Sequence, residues 1–128
     1  MERPYQLWYT GDVVNHPRLR VRFYSDENGA EPVREWLRSM PSEDRKRIGA
    51  DILTVQFRWP IGLPWTRNLG RGLWEVRTRL ENSIARVLFV IDSGEMILVH
   101  GFIKKTEQTP AAVLDIARTR AKALRRKT

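Results

Sequence analysis

"LWEVRTRLENSIARVLFVIDSGEMILVHGFIKKT", residues 73–106, decides the fold. Its apolar residues alternate, which predicts three consecutive strands. In the first, Trp74, Val76 and Leu80 point one way, and Glu75, Arg77 and Arg79 the other. In the second, Val87, Phe89 and Ile91 oppose Arg86, Leu88 and Val90. "ENS" joins the two and allows two registers. A loop at Glu81-Asn82 pairs Arg77 with Arg86, Val76 with Val87 and Trp74 with Phe89. A loop at Asn82-Ser83 pairs Arg79 with Arg86. Both bring the apolar sets together and the arginines together, whereas a one-residue slip would set arginine beside Trp and Val. Arg77, Arg79 and Arg86 therefore share one face. Like charges opposite each other destabilise a sheet. Either Glu75 screens them, or they hold an anion, or the face is simply solvated.

The next turn, "DSG", suits a three-residue loop with Gly94 in the left-handed conformation. That places Ile97 and Val99 in the core. Leu98, His100, Phe102 and Lys104 then join the arginine face, with His100 near Arg86. A two-residue loop would flip this strand. Lys104 and Lys105 sit at its end.

Upstream, "RVRFYS" alternates as a strand and "DENG" is turn chemistry. Val33, Trp36, Leu37 and Met40 recur at helical spacing, with Pro32 in the first turn. A second helix is predicted from Ser42 as N-cap to the stop at Pro60, with Ile48, Ile52, Val55 and Trp59 as its stripe. "WTRNL" reads as a short strand and "GRG" as a turn, carrying Arg67 and Arg71. Downstream, Thr109 and Pro110 open a helix that ends in a basic run. The expected fold is α+β. An antiparallel sheet carries a two-helix hairpin on one face, a helix follows at the C-terminus, and the arginine face stays open.

The 128 residues suit one domain, and the formal charge of +8 points to a polyanionic partner, most simply nucleic acid. The absence of cysteine rules out a disulfide framework and a cysteine nucleophile. Two histidines, His16 and His100, make a zinc site unexpected, and no metal or other cofactor is expected. No apolar run nears the roughly 20 residues of a membrane span, and no signal peptide is evident. A cytoplasmic protein without membrane contact is expected. On the arginine face, guanidinium groups offer a phosphate fork and Phe102 a stacking surface for a base.

"PVREWL", "DI...VQ..WP.G.P", "GLWEVR", "ARVLF" and "HGFIKKT..TP" together resemble the phage-derived branch of the RelE/HigB-type toxins of bacterial type II toxin–antitoxin systems. The resemblance covers residues 20–120. It implies a microbial-ribonuclease-like domain over residues 20–128, with residues 1–19 as an N-terminal extension. It implies an mRNA interferase that works at the ribosomal A site and is neutralised by a small helix-turn-helix antitoxin. The implied reaction is attack of a 2′-hydroxyl on the adjacent phosphate. Carried onto this chain, the family's basic positions are Arg77, Arg86, Lys104 and Lys105, the cluster already reached from strand alternation. Arg67, Arg71, Arg79 and Phe102 are expected to touch RNA. The family's C-terminal tyrosine is missing, because Tyr5, Tyr9 and Tyr24 all precede the hairpins. The general base is then His100, a lysine or Glu75. His100 is the favoured one, since only its side chain titrates near neutral pH unperturbed.

Overall fold

A computed structural model describes residues 17–104 and 108–127 of the chain. The elements run β1 (Arg20–Phe23), α1 (Pro32–Arg38), α2 (Ser42–Arg58), β2 (Thr66–Gly70), β3 (Leu73–Arg79), β4 (Ile84–Asp92), β5 (Glu95–Lys104) and α3 (Ala111–Lys127). The five strands form one sheet in the order β1-β5-β4-β3-β2. The predicted order of elements holds. The sheet is mixed, however, because β1 lies parallel to β5 while every other pair is antiparallel. Two helices intervene between β1 and β2, so nothing forces β1 into a hairpin.

The helix boundaries shift at the caps. Pro41, not Ser42, occupies the N-cap of α2, and its carbonyl accepts the Arg45 N–H at 3.0 Å. The Pro110 carbonyl accepts from Val113 and Leu114 at the start of α3. Thr109 spends its hydroxyl elsewhere, on Glu75.

Strands β3 and β4 adopt the Glu81-Asn82 register: Arg77 opposes Arg86, Val76 opposes Val87 and Trp74 opposes Phe89. Between β4 and β5 the turn differs from the expected three-residue loop. Asp92 pairs with Glu95 across Ser93 and Gly94, whose φ values of 51° and 77° make a two-residue turn. Positive φ at both central positions matches strand twist best in a hairpin. This turn sends Ile97 to the arginine face and Leu98 to the opposite core, the reverse of expectation. A β-bulge then restores the alternation. Leu88 opposes His100 and Phe89 opposes Leu98, so Val99 is the extra residue. Val99, His100 and Phe102 therefore all lie on the arginine side. Gly101 faces the other way, under the Trp36 ring, where any side chain would clash with the indole.

The α1–α2 hairpin covers one face of the sheet. Val33, Ile48, Ile52 and Val55 pack there on Val76, Val87, Phe89, Met96 and Leu98. Leu19 joins this core too, and Arg18 and Leu19 both donate backbone N–H groups to the Gln56 carbonyl. The other face is not open, as the sequence had suggested. Leu73, Leu88, Ile97 and Val99 form a second apolar patch, covered by Val113, Leu114, Ala117 and Leu124 of α3. These helix positions recur at about 3.6 residues, so α3 is amphipathic despite its basic end. Its arginines help to dock it. Arg118 donates to the Leu69 and Gly70 carbonyls, and Arg120 donates to the Val99 carbonyl at 2.7 Å.

Candidate functional site

Pairing across the sheet sorts the arginine face into rows. Arg67, Glu75, Leu88 and His100 form one row, and Arg77, Arg86 and Phe102 the next. Arg79, Ile84 and Lys104 close the face at the end of β3. These rows differ sharply in exposure, because α3 and the chain leading into it lie over part of the face.

Arg86 and Glu75 are both fully buried. Their closest charged atoms, Arg86 Nη1 and Glu75 Oε2, are 3.9 Å apart. Thr109 donates its hydroxyl to Glu75 Oε1 at 3.1 Å, tying the start of α3 to β3. The Arg86 guanidinium lies 6.0 Å from the Phe102 ring centroid, and the His100 and Phe102 rings stack at 6.0 Å. Arg86 is thus embedded between a carboxylate and a ring, not presented to solvent. The expected repulsion between Arg77 and Arg86 is relieved by Glu75 on the same face.

His100 is half-buried beside Arg120, whose Nη1 lies 3.3 Å from Nδ1. A guanidinium has no acceptor, so Nδ1 accepts and the proton of the neutral ring sits on Nε2. Burial lowers the His100 pKa from its ordinary 6.5, and the Arg120 charge lowers it further. The unfolded chain therefore takes up the proton more readily than the folded one. Stability from this group is full above about pH 6.5 and falls as pH drops through the lowered folded value. Thermal melts between pH 7.5 and 5.5 are expected to show wild type losing more stability than His100→Gln. Parallel curves for the two would rule this out.

The accessible arginines lie at the other end of β3. The Arg77 N–H bonds to the Trp65 carbonyl at 2.9 Å, and β2 begins at Thr66 opposite Val76. Beyond that point no described residue pairs with the outer edge of β3. The gap is a groove of about 490 Å³ lined by Asp51 of α2, Leu63, Pro64, Trp65, Arg77, Arg79 and Ile84. Arg58 lies 5.5 Å from the Trp65 ring centroid and holds the indole from one side. Asp51 and Trp65 did not stand out in the sequence. Asp51 borders the buried stripe of α2, and Trp65 reads in the sequence only as the first residue of the short strand "WTRNL". Arg120 and Thr109, which touch His100 and Glu75, were likewise missed.

Not all the expected residues come together. Arg77, Arg79, Arg86, His100, Phe102 and Lys104 share a face, with Arg67 in the Glu75 row. Arg71 does not join them: it sits in the β2–β3 turn with φ of 54°, beside Arg118 and Lys122. Eight residue steps, mostly along β3, separate it from Arg79, roughly 25 Å. Lys105 lies outside the described residues, as do residues 1–16 of the N-terminal extension. Among the described residues, no group of three or more His, Asp or Glu side chains gathers as a metal site. No helix among them is long and apolar enough to cross a membrane.

No curated protein matches the chain significantly. A family model does, over residues 35–122, from the middle of α1 to well into α3. That span contains both arginine-bearing strands, the buried ion pair and the groove. The chain belongs to the family of phage-derived Gp49-like proteins (DUF891).

Proposed function

We propose that this protein is the toxin of a type II toxin–antitoxin pair and acts as an endoribonuclease on mRNA, in the manner of the RelE/HigB-type toxins it resembles. The observation that carries this reading is the convergence of Arg77 and Arg79 on one solvent-open groove, next to a buried carboxylate on the same strand face. The charge of +8 and the Gp49-like family support it.

In the proposed reaction a ribose 2′-oxygen attacks the adjacent phosphorus, and the 5′-oxygen leaves, taking a proton from water or from the group that accepted the 2′-hydroxyl proton. The products are a 2′,3′-cyclic phosphate and a 5′-hydroxyl. Arg77 and Arg79 hold the non-bridging oxygens as negative charge builds on them, with Lys104 in the same end row. The 2′-hydroxyl proton needs an acceptor, which the arginines cannot be. His100 serves only if Arg120 leaves Nδ1. Glu75 is the better placed group: its Oε2 has no hydrogen-bond partner among the described residues, and Arg77 is two residues along the same face. For a hydroxyl to reach it, the Thr109–Glu75 bond must open. Lys105 remains a further candidate.

The proposed partners are mRNA in the ribosomal A site and a helix-turn-helix antitoxin. A cover over this face uses acidic groups, so the complex should weaken with salt. The second reading takes the burial of Glu75 and Arg86 as a purely structural pair, leaving a nucleic-acid-binding or phage assembly protein without catalysis. Induced expression in a bacterium separates the two. Growth arrest with cleaved mRNA is expected; unimpaired growth with intact mRNA favours the second.

A further inference from the structure

We propose that the groove between α2 and the end of β3 is a base pocket for guanine, with Asp51 as the residue that reads it. This rests on the endoribonuclease reading and deepens it: Arg77 and Arg79 hold the phosphate, and the pocket beside them takes the neighbouring base.

The walls suit a planar ring. Leu63, Pro64, Trp65 and Ile84 give the groove an apolar lining, and Leu63 is 67% exposed with no described residue covering it. Its volume of about 490 Å³ lies in the range of small-ligand sites. Unpaired bases are bound by stacking on aromatic side chains and by hydrogen bonds to their edges. Trp65 supplies the ring.

The charges choose the base. A groove serving only the RNA backbone gains nothing from a carboxylate, which repels phosphate. With Arg77 and Arg79 turned to phosphate, the polar side chain left in the groove for a base is Asp51, which takes a ligand that donates. A carboxylate presents two acceptors side by side. Guanine alone offers two adjacent donors on its Watson–Crick edge, N1–H and the N2 amino group. Its O6, next to them, is an acceptor for an arginine. Adenine and cytosine place a ring-nitrogen acceptor beside their single amino group, and uracil flanks its one N–H with two carbonyls. Each of these turns a lone pair towards Asp51. The same carboxylate argues against an acidic segment of a protein partner as the occupant.

Bidentate reading of a base edge discriminates by about ten- to hundred-fold. The test is a titration of the isotope-labelled protein with guanosine 3′-monophosphate and with adenosine 3′-monophosphate, following the Trp65 indole N–H by NMR. The guanine nucleotide should bind at least about tenfold tighter and shift Trp65, and Asp51→Asn should erase the difference. Asp51 is only partly buried and asparagine nearly isosteric, so the variant is expected to fold. Equal binding of the two nucleotides by wild type, or shifts confined to another surface, would overturn the proposal. Mapping cut sites by wild type and Asp51→Asn separates the pocket from the activity. Cleavage with the same flanking bases in both would sink the pocket and leave the nuclease. Guanine-selective binding at Trp65 by a protein that cuts no RNA would sink the nuclease and leave the pocket.

Discussion

Arg86→Ala is expected to cost about 3–5 kcal/mol of folding stability, the range for breaking a buried ion pair by removing one partner. The loss has two sources. Glu75, fully buried, loses the guanidinium 3.9 Å away. The space beside Phe102 and Leu88 also empties. Urea unfolding should show a lower midpoint with an unchanged slope. The double variant Glu75→Gln with Arg86→Met should recover much of the loss, since a buried pair replaced by packed neutral side chains is often no less stable. Sequence alone suggests the opposite sign: Arg77 opposes Arg86, and removing one of two facing cations should help. An unfolding free energy within about 1 kcal/mol of wild type would show that Arg86 behaves as a surface residue.

The strand pattern revealed the arginine face but not its lid. Alternation fixes which residues share a face, so the common face of Arg77, Arg79 and Arg86 was readable, while "ENS" left open whether Arg77 or Arg79 opposes Arg86. It cannot say what lies over that face. The signal was present in α3, where Val113, Leu114, Ala117 and Leu124 fall on one stripe, but the basic residues among them drew attention to solvent. His100 reached the expected face by an unexpected route. The two-residue turn at Ser93-Gly94 inverts β5, and the bulge at Val99 inverts it back. Ser93 carries no obvious preference for positive φ, and a bulge leaves alternation intact on either side. The residues left the two-residue turn open without selecting it, and gave no sign of the bulge. The groove escaped notice because its walls come from α2, the loop before β2 and the end of β3, segments far apart in sequence.

Arg77→Ala should lower cleavage of ribosome-bound mRNA by about 10²–10³-fold, the usual loss when one donor to a developing oxyanion is removed. Arg79→Ala should lose less, because the exposed Arg79 end of β3 lies where water also solvates the phosphate. Both variants should keep their stability within about 1 kcal/mol, since neither side chain is buried. Arg77→Lys should recover only part of the rate, because an ammonium cannot make the two parallel hydrogen bonds of a guanidinium. Single-turnover cleavage measures all three. A wild-type rate in Arg77→Ala would move the phosphate site elsewhere on the face.

The central claim is that this chain cuts RNA by internal attack of a 2′-hydroxyl. The direct measurement is the chemistry of the new RNA ends after induction in a bacterium, with Arg77→Ala as control. Fragments ending in 2′,3′-cyclic phosphate and beginning with 5′-hydroxyl, absent from the control, are the predicted result. Fragments with 3′-hydroxyl and 5′-phosphate ends, or no fragments beyond those of the control, would contradict it.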